Sequence, residues 1–135
     1  MRYLGFLCCV AALALAVSSV PASAHHSFAA EFDSAKPVTL TGKVTKVEWT
    51  NPHAFVYIDV VDQQTKATTN WAIELGSPNV LVRNGWTRTT VKIGDVVVVQ
   101  GSQARNGTPL GNARSIALAS TGQQLFAGSS QGNVR

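Results

Sequence analysis

Three alternating apolar and polar runs between residues 38 and 75, a Ser-Pro helix start closed by a glycine, and two further apolar runs at 96–101 and 113–119 follow one another along the chain. That order predicts an all-β fold: a small five-stranded OB-like Greek-key barrel with one short helix between strands three and four. The 135 residues, 45% hydrophobic and 13% charged, leave room for one small domain and exclude a multidomain enzyme.

In the first strand Val38, Leu40, Gly42 and Val44 share one parity, whereas Val47 and Trp49 fall on the other. A bulge or bend between Val44 and Val47 is needed for all of them to face inward. Thr50-Asn51-Pro52 ends this run, and residues 53–61 form a second strand. There Ala54, Val56, Ile58 and Val60 make an aliphatic face, opposite His53, Phe55, Tyr57 and Asp59. After a turn at 62–66, residues 68–75 make a third strand with Trp71, Ile73 and Leu75 on one side and Ala72 and Glu74 on the other, completing a meander. Ser77 is the expected N-cap, with Pro78 at the first helical position and Gly85 as the left-handed stop. Trp86 is then placed to fold back onto Leu81. Lys92-Ile93-Gly94-Asp95 reads as a turn into Val96-Val97-Val98-Val99, β-branched throughout and expected to be well buried. Asn106-Gly107 and Gly111-Asn112 punctuate a loop before the last strand at 113–119.

The expected organisation is a signal peptide at 1–24, an extended arm at 25–37, the barrel domain at 38–121 and a flexible Gly-, Ser- and Gln-rich tail at 122–135. The leader reading rests on Arg2, the apolar run at 4–17 and the small-residue site Ala22-Ser23-Ala24. The run is shorter than the roughly 18 to 20 residues that span a bilayer, so the mature chain is expected to carry no transmembrane segment and to be periplasmic or secreted. Cys8 and Cys9 both lie in the leader, which leaves an exported chain without disulfides. The formal charge of +4 is scattered, with no basic run to hold phosphates, and nucleic acid is not an expected partner.

Several segments resemble DUF6152, a family of exported bacterial proteins of unknown function. They are His25-His26-Ser27, Val47-Glu48-Trp49-Thr50-Asn51-Pro52-His53, Trp71-Ala72-Ile73-Glu74, Gly85-Trp86 and Lys92-Ile93-Gly94-Asp95. The resemblance implies an exported OB-like barrel and carries over no catalytic or binding residue.

Chemistry is concentrated in two places. Cleavage after Ala24 would make His25 the amino terminus, where the α-amine and imidazole can chelate one metal ion and a further imidazole, from His53 or His26, would complete a nitrogen set that suits Cu(II). Copper is therefore the one cofactor the sequence suggests, with His25, His26 and His53 as candidate ligands. The second place is the polar and aromatic face of strand two, Phe55, Tyr57 and Asp59, which Glu74 could join from strand three; in OB-folds these strands carry the ligand face. The alternatives are that Phe55 and Tyr57 are ordinary core and that Glu74, like Glu48 and Asp95, is a solvated carboxylate. There is no H-E-x-x-H and no Gly-rich phosphate loop, which points away from an enzyme. The expected function is a non-enzymatic exported binding module for a small molecule, an ion or an envelope protein. A periplasmic copper protein and an envelope assembly subunit that docks by strand addition are the alternatives.

Overall fold

The computed structural model describes residues 28–128. The expected leader, Cys8, Cys9, His25 and His26 lie outside them. Element order is α1 (Phe28–Glu31), β1 (Phe32–Glu48), β2 (Phe55–Val61), β3 (Thr68–Glu74), α2 (Pro78–Arg83), β4 (Val96–Ala104), β5 (Leu110–Leu118) and β6 (Gln124–Phe126). The protein is all-β, with one sheet in the order β3-β2-β1-β4-β5-β6 and a further pairing of β3 with β5. Neighbours pair antiparallel except for β3 and β5, which run parallel from Ala72↔Leu110 to Glu74↔Asn112. The pairings thus form a ring, β1-β2-β3-β5-β4 and back to β1, to which β6 is added along β5.

The long first strand kinks where its parity changes: the register with β2 shifts between Val44 and Lys46. That one-residue insertion turns Val44 and Val47 toward the same core. The Lys92–Asp95 turn locks the kink, because Gly94 N donates to Val44 O and Val44 N to Asp95 O, both at 2.8 Å. Inside the ring Val44, Val56, Ile58, Ile73, Leu75, Val97, Val99 and Ile116 are at most 1% exposed, which makes this the hydrophobic core.

The α2 helix closes one end of the ring through Leu81 and Trp86. Ser77 caps it by accepting from Val80 N at 3.4 Å, with Pro78 following. At its other end Gly85 takes φ +87°, Gly85 N donates to Val82 O and Trp86 N to Leu81 O at 3.0 Å, the paired bonds of a Schellman ending. Trp86 is 3% exposed, whereas Trp49 and Trp71 are partly buried against the same core.

Four features differ from the sequence reading. β1 begins at Phe32, six residues before the expected Val38, because Phe32 and Asp33 pair with Ala104 and Gln103 ahead of an irregularity that ends at Pro37. Gly111 and Asn112 belong to β5 rather than to a loop. The Val96–Val99 run alternates, with Val97 and Val99 buried and Val96 45% exposed, so only one of its faces meets the core. The sheet has six strands: Gln124–Phe126 pairs with β5 inside the segment expected to be a flexible tail, and Ala127 is fully buried.

Candidate functional site

Strand β2 divides its side chains as its alternation requires. Val56 and Ile58 enter the core, while Phe55, Tyr57 and Asp59 stand half-buried on the outer face. Cross-strand register sets Phe55 opposite Glu74, Tyr57 opposite Ala72 and Asp59 opposite Asn70. The two rings lie 6.3 Å apart and tilted by 30°. Along this face Tyr57 Oη donates to Glu48 Oε2 at 2.9 Å, Lys46 pairs with Glu48, and Lys46 Nζ sits 5.0 Å from the centre of the Tyr57 ring. The Lys46 ammonium, and after it the Tyr57 hydroxyl, hold the Glu48 carboxyl below its usual range. The Glu48 carboxylate conversely raises both Lys46 and Tyr57. Asp59 accepts from Asn70 Nδ2 at 2.7 Å, and the same amide reaches Thr45 Oγ1. The outer face is therefore a row of half-exposed aromatics edged by hydrogen-bonded polar groups.

At the end of that row stands a buried polar cluster. Glu74 Oε1 is 3.2 Å from His53 Nδ1 and accepts from Asn112 Nδ2 at 3.1 Å. The Glu74 and His53 side chains are 9% and 32% exposed. Glu74 points out of the ring, since its neighbours Ile73 and Leu75 point in, yet it is covered. Burial is the main reason its carboxyl is pushed up to about 7; the Glu31 carboxylate adds to the rise, and the hydrogen bond from Asn112 opposes it. A carboxyl poised near neutrality beside an imidazole can pass a proton to it, or as carboxylate can orient the ring for a ligand.

The structure brings together four of the sequence-derived candidates, His53, Phe55, Tyr57 and Glu74, with Asp59 further along the same face. His25 and His26 lie outside the described residues. Among the described residues, no three His, Cys, Asp or Glu side chains come together as a metal-binding group. Glu74 is corrected from a solvated carboxylate to a buried one. Its partner Asn112, read from sequence as loop punctuation, went unrecognised because the two meet only through the parallel pairing of β3 with β5. Phe28 and Phe32 were also missed; their rings stack at 5.6 Å, Phe32 is 2% exposed, and their i, i+4 spacing was the available signal. No helix among the described residues is long and apolar enough to cross a membrane.

The fold and the cluster define an all-β protein with a half-buried imidazole on a buried carboxyl-amide pair at its surface. The family model of DUF6152, a family of unknown function, matches residues 12–113, and the chain belongs to that family. No curated protein and no solved structure matches the chain.

Proposed function

We propose that the protein is an exported, non-enzymatic binding module built on an OB-type barrel. Support for the barrel comes from the ring of pairings β1-β2-β3-β5-β4, with its parallel β3–β5 contact and a helix between β3 and β4. The proposed ligand surface is the outer face of β2 and β3, with Phe55 and Tyr57 as the stacking platform and His53, Asp59 and Glu74 as its polar contacts. One observation carries this reading: two aromatic rings stay half-exposed next to half-buried His53 and the buried Glu74–Asn112 pair it contacts, an arrangement that core packing does not need. The ligand is a small molecule with a planar or ring-shaped face and hydrogen-bonding edges. A panel of soluble sugars and heterocycles tests it by amide shift mapping. Shifts should cluster at residues 53–59 and 70–74, and Tyr57→Ala should weaken by about tenfold the binders that shift those residues, as expected for a lost stacking partner. Binders that shift only other surfaces would refute the assignment.

A second reading, periplasmic copper binding, is favoured by the 3.2 Å contact of His53 Nδ1 with buried Glu74. A carboxylate on one ring nitrogen is the arrangement that fixes an imidazole for a metal at the other. The α-amine and imidazole of a processed His25, three residues before Phe28, would supply the chelate, with His26 as an alternative ligand. Calorimetric titration with Cu(II) should then show one site in protein beginning at His25. Binding should weaken by on the order of tenfold or more in His53→Ala and in a version with one residue added ahead of His25. Equal affinity in all three proteins would remove copper from consideration.

A further inference from the structure

We propose a second ligand site, on the opposite side of Asn112 from the Glu74 cluster, that takes a small aromatic carboxylate. A cavity of about 390 Å³ lies between α1, the start of β1 and the strands β4, β5 and β6, a volume in the range that small-molecule sites occupy. Its apolar walls are Phe28, Phe32 and Phe126, and its polar ones include Arg105, Arg114 and Ser102. No Asp or Glu lines it, and among the described residues neither arginine forms an ion pair. Two arginines beside aromatic walls, without a lining carboxylate among the described residues, complement an anion attached to a flat apolar body.

The frame of the site is held by its own bonds. Arg105 is fixed at the rim, because its Nε donates to Ala29 O at 2.6 Å and its backbone N to Glu31 O at 2.9 Å. These bonds also tie α1 over β4 and so form one wall. Phe126 is fixed from behind: Trp86 Nε1 donates to Phe126 O at 2.8 Å, and Gly128 packs so close that a Cβ there would come within 3.0 Å of the Phe126 ring. Arg114 lines the cavity from β5 and is exposed, and among the described residues its guanidinium makes no hydrogen bond or ion pair. The ligand's ring therefore lies against Phe126 and its carboxylate meets Arg114, with the Ser102 hydroxyl as a further donor. The cavity shares Asn112 with the Glu74 cluster, but none of its lining residues lies on β2, so the ring and carboxylate contacts proposed here are tested apart from the β2 aromatic row.

The test is calorimetric titration of the full chain with 1-naphthoate and with its neutral counterpart 1-naphthamide. The acid should bind at least about tenfold more tightly than the amide, the size expected when a charge-assisted contact is lost. Arg114→Gln should abolish that preference while leaving the fold intact, since the side chain is exposed. Phe126→Leu should weaken both compounds, and Tyr57→Ala should change neither. Amide shifts on adding 1-naphthoate should centre on Ser102, Arg114 and Phe126. Equal binding of acid and amide, an unchanged preference in Arg114→Gln, or loss of binding in Tyr57→Ala would overturn the site. Failure of the full chain to bind at about millimolar probe, with binding gained on ending the chain at Gly128, would show that the last seven residues occupy the cavity instead and would likewise overturn it.

Discussion

Glu74 occupies a position where an ionised side chain costs free energy: it is 9% exposed, faces Glu31, and has one hydrogen bond from Asn112 and one contact with His53 to offset its desolvation. Its carboxyl, pushed up to about 7 from its ordinary value of 4.5, stays protonated in the folded protein over a pH range in which the unfolded chain has already released that proton. The folded state then binds more protons than the unfolded state, so stability is highest below about pH 4.5 with respect to this group and falls as pH rises toward 7. Each pH unit of that window is worth about 1.4 kcal/mol, so the full decline is about 3 kcal/mol at most. Glu74→Gln keeps the oxygen that accepts from Asn112 and removes the titration. Urea midpoints should therefore decline between pH 5 and 7 in the parent and stay nearly level in Glu74→Gln, which should be the more stable of the two at pH 8. Parallel curves for the two proteins would show that Glu74 titrates like a solvated acid. The outward parity of Glu74 was legible from the alternation Trp71, Ile73, Leu75, but its burial was not, because Asn112 is 38 positions away in sequence and reaches it only in the folded ring.

At the level of elements, local chemistry was legible wherever the determinants lie within a few residues. The parity change between Val44 and Val47 located the bulge in β1, Ser77-Pro78 and Gly85-Trp86 located both ends of α2, and Asp62 located a turn in which its carboxylate accepts from Gln64 N and Thr65 N. These backbone donors hold the Asp62 carboxyl below its usual range. Gly111 was misread as loop, since a turn and a close approach of two strands demand glycine equally, whereas Gly101 falls in its expected strand. Gly101 sits where the register of β4 with β5 shifts, and a Cβ there would overlap the backbone oxygen of Asn112. Gly111 lies over Ile73 and Trp71, where a Cβ would find its nearest neighbour, Ile73 Cδ1, at an ordinary 3.5 Å. The two substitutions should consequently separate. Gly101→Ala should cost about 3 kcal/mol or prevent folding, because backbone must move. Gly111→Ala should stay within about 1 kcal/mol of the parent, its contact offset by the reduced freedom of the unfolded chain. Denaturant midpoints for the pair decide this, and equal losses would show that the β4–β5 bulge yields easily.

For the molecule as a whole, strand order was legible from the succession of patterns, but what closes the ring was not. The parallel contact of β3 with β5 is three residue pairs long and joins segments with unrelated local patterns, so no short window signals it. The chain ends were undervalued for the same reason. Their composition lacks a period, yet Phe32 is buried beneath α1, and the segment after Gly122 supplies β6 and a fully buried Ala127. That last segment joins parts of the molecule distant in sequence: Gly76 N donates to Ala127 O at 2.8 Å, Ala127 N to Arg114 O at 2.9 Å, Trp86 Nε1 to Phe126 O at 2.8 Å and Gln124 Nε2 to Ser115 Oγ at 2.9 Å. Trp86 and Gly76 flank α2, so β6 ties the helix end of the ring to β5. Ending the chain at Gly122 would leave the buried Trp86 N–H and the Gly76 N–H without these acceptors, at roughly 1 to 3 kcal/mol each, besides exposing core apolar surface. Compared with a chain ending at Gly128, the chain ending at Gly122 should lose about 3 kcal/mol or more, a large share of the stability of so small a domain. The loss should appear first as faster amide exchange at Gly76 and Trp86, because the helix end is what β6 restrains. Unchanged exchange there, with an unchanged urea midpoint, would mean that the five-stranded ring holds α2 without help from the sixth strand.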